Sequence, residues 1–312
     1  MTSPAPETQI NRTVIFVSLG LAIALVLGAI FGARAMFHRA ALTPVAMPEL
    51  PSPMAGTPEC TSLIDGLPAQ LANLKRAELA EPAPEGAAAW QGASAASGET
   101  ERITVRCGTD TPLQYTEFAP TISAGEATWM RVDDVTPGST MSTWFTTDRS
   151  PVLAVTANAQ RYDADDILPH LGAEHLPQEV QPTHPAPLSG LAQGDTSRCD
   201  ALMGALPDSI AEGYERAESD VPASAVWVAE GRDPIVVRCG VQEPGSYAAG
   251  AQLIQVNDIP WFEDTNAGTV TAATLYALGR DTTVAASIPQ GQGNAAITAL
   301  SDAVAQHTEP VR

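Results

Sequence analysis

The peptide Ile103-Thr104-Val105-Arg106-Cys107-Gly108 returns almost unchanged later in the chain as Ile235-Val236-Val237-Arg238-Cys239-Gly240. Each copy has the composition of a short β-strand that ends in a turn. Each also has one upstream cysteine, Cys60 or Cys199, and a Leu-Pro pair follows that cysteine by seven residues. The repetition predicts two copies of one folded unit, each containing two cysteines.

The four cysteines allow three disulfide connectivities. Duplication favours Cys60–Cys107 and Cys199–Cys239, with one bridge inside each copy. Bridges of this span stabilise a fold by roughly 4 kcal/mol each in the chain-entropy account. The cysteines are not spaced as in zinc-ribbon or thioredoxin-like sites, so structural disulfides and an oxidising compartment are expected.

The charge of the chain excludes several classes of partner. Lys and Arg total 16 against 36 Asp and Glu, which gives a formal net charge of −20. A surface of this sign repels phosphates and anionic lipid headgroups, so nucleic acid is not an expected partner.

Residues 13–33 carry no charge and lie between Arg12 and Arg34. A helix of this length crosses the hydrocarbon core of a bilayer. We expect a cytoplasmic tail at 1–12 and a single transmembrane helix at 13–35, retained as an anchor. The competing interpretation is a cleaved signal peptide, because Ala33-Arg34-Ala35 fits a cleavage pattern. Arg34 and Arg39 weakly favour the opposite orientation, but the cysteines favour an extracytoplasmic C-terminal part.

Small residues recur every four positions along this helix and form a ridge on one side. The ridge consists of Gly20, Ala24, Gly28 and Gly32. Small-residue ridges allow another membrane helix to approach closely, so these positions are candidates for helix packing in a membrane complex. Glycine and alanine are also common in membrane helices that have no such partner.

Proline-rich stretches divide the remainder of the chain. We expect a proline-rich tether at 36–58, an α+β repeat at 59–176, a proline-rich linker at 177–195 and a second α+β repeat at 196–312. Apolar spacing predicts first helices at about 64–79 and 200–217, and closing helices at 165–171 and 294–306. Predicted strands lie at 127–132, 141–147, 152–156, 251–256, 269–278 and 284–288.

Other short elements occur in both copies. Arg-Ala-Glu is found at 76–78 and at 216–218, and Trp90 and Trp227 precede the two cysteine strands. Residues 132–135 resemble residues 256–259, and Arg149 and Arg280 each precede a late strand. Features that both copies keep are most simply explained as needs of the fold, so Trp90 and Trp227 are expected in the two cores.

Trp129 and Trp261 do not align in this comparison, and we expect them to mark a possible binding surface. Arg106 and Arg238 are expected to pair with an internal carboxylate such as Asp133 or Asp258. The acidic and histidine groups of the first repeat do not have the spacing of a metal site. They are Asp163, Asp165, Asp166, His170, His175 and His184. No residue is nominated as catalytic, and no cofactor or metal is expected.

The constellation Cys…Leu-Pro…Arg…Trp…Val-Arg-Cys-Gly resembles an actinobacterial envelope family known only as a domain of unknown function, family 3515. The resemblance covers Cys60 to about Thr156 and Cys199 to about Ile288. It implies a secreted or membrane-anchored protein and offers no activity. Copy one lacks, in this comparison, the tryptophan that follows Ile259-Pro260 in copy two.

The sequence therefore predicts a non-catalytic, single-pass membrane protein whose tandem extracytoplasmic domains bind another component of the cell envelope. An accessory subunit of a membrane complex, docked through the transmembrane helix, is the alternative. A cell-wall enzyme is a second alternative, for which no acid/base pair or nucleophile is apparent.

Overall fold

The computed structural model describes residues 12–40, 43–93, 100–269 and 271–311. Nearly all of the expected cytoplasmic tail lies outside these ranges. Helix α1 (Arg12–Ala40) comes first. Its stretch Ile15–Ala33 is the one described helix that is long and apolar enough to cross a membrane, and a signal sequence would meet the same criterion.

The first repeat is an antiparallel sheet with short helical segments. Helix α2 (Pro58–Gly66) opens it, and α3 (Ala164–Ile167) and two 3-10 turns close it. The described strands are β1 (Gln70–Leu71), β2 (Leu74–Ala77), β3 (Ala87–Ala93), β4 (Thr100–Thr109), β5 (Thr121–Ala124), β6 (Ala127–Asp133), β7 (Met141–Thr146) and β8 (Val152–Asn158). Their order in the sheet is β1-β2-β3-β4-β8-β7-β6-β5.

The second repeat has the same topology. It runs from α4 (Cys199–Ala205) to α5 (Gly293–His307). Its strands are β9 (Glu215–Ala217), β10 (Ser224–Val228), β11 (Ile235–Cys239), β12 (Ile254–Val256), β13 (Ile259–Glu263), β14 (Ala272–Ala277) and β15 (Val284–Pro289). Read from its other edge, the sheet has the order β9-β10-β11-β15-β14-β13-β12. This order matches β2-β3-β4-β8-β7-β6-β5 of the first repeat, strand for strand. The α+β fold and the duplication are thus confirmed.

The repeated sequence elements occupy the same places in the two sheets. Trp90 lies opposite Arg76 on β2, and Trp227 lies opposite Arg216 on β9. Both indole Nε1 groups donate to the carbonyl of the Leu-Pro proline, Pro68 or Pro207, at 2.9 Å. Both tryptophans are fully buried, as expected.

The first helices are much shorter than predicted. They end at Gly66 and Ala205 rather than near residues 79 and 217. The cause is the Leu-Pro pair, because a residue before proline is driven out of the helical region. Leu67 and Leu206 accordingly have extended backbone, with ψ of 144° and 136°. In the first repeat, Leu71 and Leu74 lie further along in β1 and β2, and their burial at helix-like spacing produced the misleading pattern.

The two closing segments differ. Helix α5 runs over Gly293–His307, close to the predicted 294–306. In the first repeat α3 stops at Ile167, and 3-10 turns at Leu168–His170 and Ala173–His175 follow. Pro169 and Gly172, which has a φ of +69°, prevent the helix from continuing.

The proline-rich stretches are extended, but they are not free of the domains. In the expected tether, Val45 and Met47 are buried, and the Val45 amide donates to the Glu78 carbonyl at 2.8 Å. In the expected linker, Leu188 and Leu191 pack on the second sheet. We call residues 43–57 and 186–197 the first and second cover segments. The prediction of a free tether over 36–58 was therefore wrong from Val45 onward, where the chain packs on the first repeat.

The glycine of each Arg-Cys-Gly element allows its cover segment to approach closely. Gly108 has a φ of +86°, and a Cβ atom there would lie 2.4 Å from the Ala55 nitrogen. Gly240 has a φ of +69°, and a Cβ atom there would lie 2.7 Å from the Asp195 carbonyl oxygen. Any other residue would be strained and would displace the segment.

The arginine of each element binds the same segment. Arg106 donates to the Pro48 carbonyl. Arg238 donates to the carbonyls of Leu188 and Leu191 at 3.0 and 2.8 Å. The expected pairing with Asp133 or Asp258 was therefore wrong. Guanidinium donors fit here because the carbonyls of an extended segment outside a sheet need partners.

We expect Arg238→Met to lower the free energy of unfolding of the second repeat by about 2 kcal/mol, because it leaves partly buried backbone carbonyls without their charged donor. Urea unfolding followed by circular dichroism measures this change. Arg198→Met is the matched control, since the Arg198 side chain is 58% exposed and its guanidinium pairs with Asp281; its effect should stay below about 1 kcal/mol. Equal midpoints for the two variants would contradict this role of Arg238.

Candidate binding cleft between the two repeats

The two repeats meet where strand β6 of the first contacts the β10–β11 turn of the second. The Asp133 amide, at the end of β6, donates to the Gly231 carbonyl in the β10–β11 turn at 2.7 Å. Beside this bond, the Arg131 guanidinium lies 3.4 Å from the Glu230 carboxylate. A Cβ atom on Gly231 would lie 2.5 Å from the Asp133 carboxylate, so the contact requires glycine at this position.

The Asp133 carboxylate is held in place from its own repeat. Arg131 Nε donates to Asp133 Oδ1 at 2.6 Å, and the Ser142 hydroxyl donates to the same oxygen at 2.6 Å. The three residues lie side by side on β6 and β7. They form a hydrogen-bonded polar cluster that contacts the second repeat.

A cleft of about 590 Å³ opens beside this contact. The first repeat lines it mainly with the β6–β7 connection at residues 132–142. The second repeat contributes Tyr214, the β10–β11 turn at 231–233, Thr271 and the β15–α5 loop at 289–292. Pockets of roughly 300–1,000 Å³ at domain interfaces are where small ligands usually bind, so this cleft is the candidate functional site.

Most of the residues that line the cleft have polar side chains, and apolar residues such as Val135, Met141 and Pro289 lie between them. Carboxylates, amides, hydroxyls and guanidinium groups come from both repeats. They include Asp133, Asp134, Asp233, Gln114, Gln160, Gln292, Ser139, Thr140, Thr271, Arg131 and Arg232. Such a lining suits a polar ligand with many donors and acceptors.

The pKa values of two carboxyl groups in the cleft are shifted in opposite directions. The Thr136 amide donates to Asp134 Oδ1 at 3.0 Å. This bond, with Ser139, holds the pKa of Asp134 below its usual value, so Asp134 is a fixed negative charge. Partial burial raises the pKa of Asp233, although a hydrogen bond with Thr271 opposes the shift.

Tyr214 lines the cleft on the side formed by the second repeat. Its hydroxyl donates to the Asp233 carbonyl at 3.0 Å, and the Arg232 guanidinium lies 5.9 Å from the centre of its ring. Tyr214 therefore fixes the backbone of the β10–β11 turn that carries Asp233 and the Gly231 contact.

Burial raises the pKa of Tyr214 from 10.0 to about 12. Below pH 10 the phenol is protonated in both the folded and the unfolded chain, so its stabilising contribution is complete. From pH 10 towards 12 the unfolded chain releases this proton first, and the contribution is lost as pH rises. We expect stability to fall less across this window in Tyr214→Phe than in the unchanged protein, as thermal melts at each pH would show. Parallel curves for the two proteins would contradict the assignment.

The predicted binding surface at Trp129 and Trp261 was wrong. Both indoles are 0% exposed. Trp129 Nε1 donates to the Ala124 carbonyl at 3.0 Å, and Trp261 Nε1 donates to the Ser301 hydroxyl at 2.9 Å. Both are parts of a hydrophobic core.

These tryptophans are also equivalent to one another. Trp129 pairs with Ile122 across β5–β6, and Trp261 pairs with Ile254 across β12–β13. Copy one therefore has the tryptophan that it was expected to lack. The proposed match between 132–135 and 256–259 was wrong as well, because residues 256–259 form the turn equivalent to 124–127.

Sequence comparison of the copies missed the cleft because its contact residues are not repeated. With Trp129 equivalent to Trp261, Arg131 corresponds to Glu263 in the second repeat. The available signal was this difference, an arginine in one copy and a glutamate at the equivalent position of the other. A search for residues that the copies share does not retain such a difference.

The predicted disulfides are present. Cys60 is bonded to Cys107, with Cα atoms 5.5 Å apart, and Cys199 is bonded to Cys239, with Cα atoms 5.6 Å apart. Each bond joins the first helix of its repeat to the cysteine strand. All four residues are buried, so the bonds are structural parts of the two cores.

The remaining sites of interest lie away from the cleft. In the described ranges, no group of three or more His, Cys, Asp or Glu side chains is placed to hold a metal ion. His184 contacts Thr111 in the first repeat, with Nε2 and Oγ1 3.3 Å apart. Gly20, Gly28 and Gly32 have open space where a side chain would be, and the ridge that they form with Ala24 stays a prediction.

A family model described as "Protein of unknown function (DUF3515)" matches the chain twice, over residues 19–172 and 167–312. The two matches follow the two repeats of the structure, and together they span nearly the whole chain. No curated protein matches this sequence.

Proposed function

The chain belongs to the DUF3515 family, and from this premise we propose that it is a non-catalytic, membrane-anchored protein whose two extracytoplasmic repeats bind an envelope component in the cleft between them. The observation that carries the proposal is the cleft itself, to which both repeats contribute polar side chains.

The location rests on two features of the molecule. The Ile15–Ala33 stretch is long enough to cross a bilayer, and each repeat is closed by a buried disulfide. Disulfides persist in oxidising compartments, which favours a cytoplasmic N-terminus and repeats outside the membrane. Val45 packs only five residues after Ala40, so the first repeat would lie close to the membrane surface.

Binding is favoured over catalysis because the central polar groups already have structural partners. Asp133 is held by Arg131 and Ser142, and the Tyr214 hydroxyl is bonded to a backbone carbonyl. Groups held in this way present a fixed surface to a ligand. Turnover of wall precursors by the purified full-length chain would contradict the non-catalytic part of the proposal.

Photo-crosslinking in intact cells tests the proposal. A benzophenone amino acid replaces Gln292 or Ser139, on opposite sides of the cleft. We expect both positions to give adducts with the same envelope component. The matched control is Glu218, which is exposed just after β9 and lies outside the cleft. Absence of adducts at both cleft positions, or equal adducts at Glu218, would reject the cleft as the binding site.

The small-residue ridge supports a second candidate, an accessory subunit docked through α1. Open space beside Gly28 and Gly32 would admit a neighbouring helix. The double substitution Gly28→Ile and Gly32→Ile should then abolish crosslinks between α1 and a membrane partner. Unchanged crosslinks would reject this candidate and leave the cleft proposal intact.

A further inference from the structure

We propose that the ligand of the inter-repeat cleft is a neutral, polyhydroxylated chain, namely a short glycan segment. The inference rests on the proposed function, because it names the chemical class of the component that the cleft binds. Charge, hydrogen-bonding capacity and the shape of the walls each support it.

The charges of the cleft favour a ligand without strong net charge. Asp134 and Asp233 on opposite walls would repel phosphates and carboxylates, as would the overall charge of −20. A strongly cationic ligand would meet the Arg232 guanidinium on the same wall as Asp233. A neutral ligand avoids both costs.

The hydrogen-bonding groups suit hydroxyls, which both donate and accept. Carboxylate oxygens of Asp134 and Asp233 accept, and the amides of Gln160 and Gln292 do both. Gln292 is the N-cap of α5 and makes no side-chain capping bond.

The walls do not suit an extended peptide. Peptides are usually recognised by addition to a sheet edge or by apolar pockets for alternate side chains. The cleft is walled by the 132–142 connection and the turns at 231–233 and 289–292, and its apolar residues are interspersed with polar ones. A glycan chain needs neither a strand edge nor apolar pockets.

Calorimetric titration of the full chain in nanodiscs tests the inference. The probes are chitotetraose, maltotetraose, mannotetraose and pentaalanine. We expect a glycan to bind and the peptide not to bind. Asp233→Ala should weaken glycan binding roughly ten- to hundredfold, because it removes charge-assisted hydrogen bonds. Gln292→Ala, in a surface loop, should weaken it several-fold.

Asp258→Ala is the matched control, since Asp258 is exposed in the β12–β13 turn and outside the cleft; it should change binding less than twofold. Circular dichroism melts confirm that each variant folds, and Gln292→Ala decides the matter should Asp233→Ala unfold. Failure of every glycan to bind, binding of pentaalanine alone, or equal weakening by Asp258→Ala would overturn the inference. Cleft-specific crosslinks to a protein would then leave the proposed function standing, whereas their absence would remove both.

Discussion

Replacing Cys199 and Cys239 together by alanine is expected to lower the free energy of unfolding of the second repeat by about 4 kcal/mol. The bond closes a loop with a sequence separation of 40 residues, so its loss restores much conformational entropy to the unfolded chain. A single domain has a net stability of roughly 5–15 kcal/mol, so the variant should lose a large share of the stability of its repeat. Urea unfolding measures the difference.

The first repeat provides the control. Its bond spans a separation of 47 residues, so Cys60→Ala with Cys107→Ala should cost nearly the same. Each double variant should shift only the transition of its own repeat, which hydrogen exchange read out by peptide resolves. A variant pair that destabilised both repeats equally would contradict the independence of the two units.

Trp261→Ala is expected to destabilise the second repeat by about 3–5 kcal/mol, the range for removal of a large buried aromatic side chain. The indole is 0% exposed and its Nε1 bond to Ser301 ties β13 to α5. Trp261→Phe keeps most of the apolar volume and should cost about half as much or less. Thermal and urea melts measure both.

Tyr247→Ala is the control that distinguishes a core role of Trp261 from a surface role. Tyr247 is 37% exposed and packs edge-on against Phe262 from outside the sheet. Its loss should cost about 1 kcal/mol. Should Trp261→Ala cost no more than Tyr247→Ala, the indole would not be the core residue that the structure shows.

The elements that could be predicted from the sequence are those that occur in both copies of the repeat. The cysteine strands, the disulfide partners and the burial of Trp90 and Trp227 could be recognised because two copies in one chain reveal what the fold requires. The first helices were overestimated because the Leu-Pro pair, repeated at 67–68 and 206–207, is also a helix stop. Ala72 and Asn73, with φ of 47° and 66°, then form the β1–β2 turn, and alanine gives no signal for this conformation.

The cover segments were misjudged because composition does not distinguish an extended tether from an extended strand packed on a sheet. Proline favours the same backbone in both. What decides between them is contact with a distant part of the chain, such as the bond from Arg238 to the Leu188 carbonyl. The spacing of residues in the sequence does not reveal that contact.

The cleft was beyond prediction for a related reason. Arg131 and Glu230 are 99 positions apart, and the turn at 231–233 is brought to the β6–β7 connection only by the packing of two finished domains. A comparison of the copies reveals what each domain needs separately. A site between domains depends on residues that the copies do not share.

Peptide mapping of the native protein under non-reducing conditions tests the central claim most directly. Two units that fold separately, in an oxidising compartment, should give one disulfide-linked peptide pair containing Cys60 and Cys107 and another containing Cys199 and Cys239. Free thiols at these positions, or a bond that joins a cysteine of the first repeat to one of the second, would contradict the account.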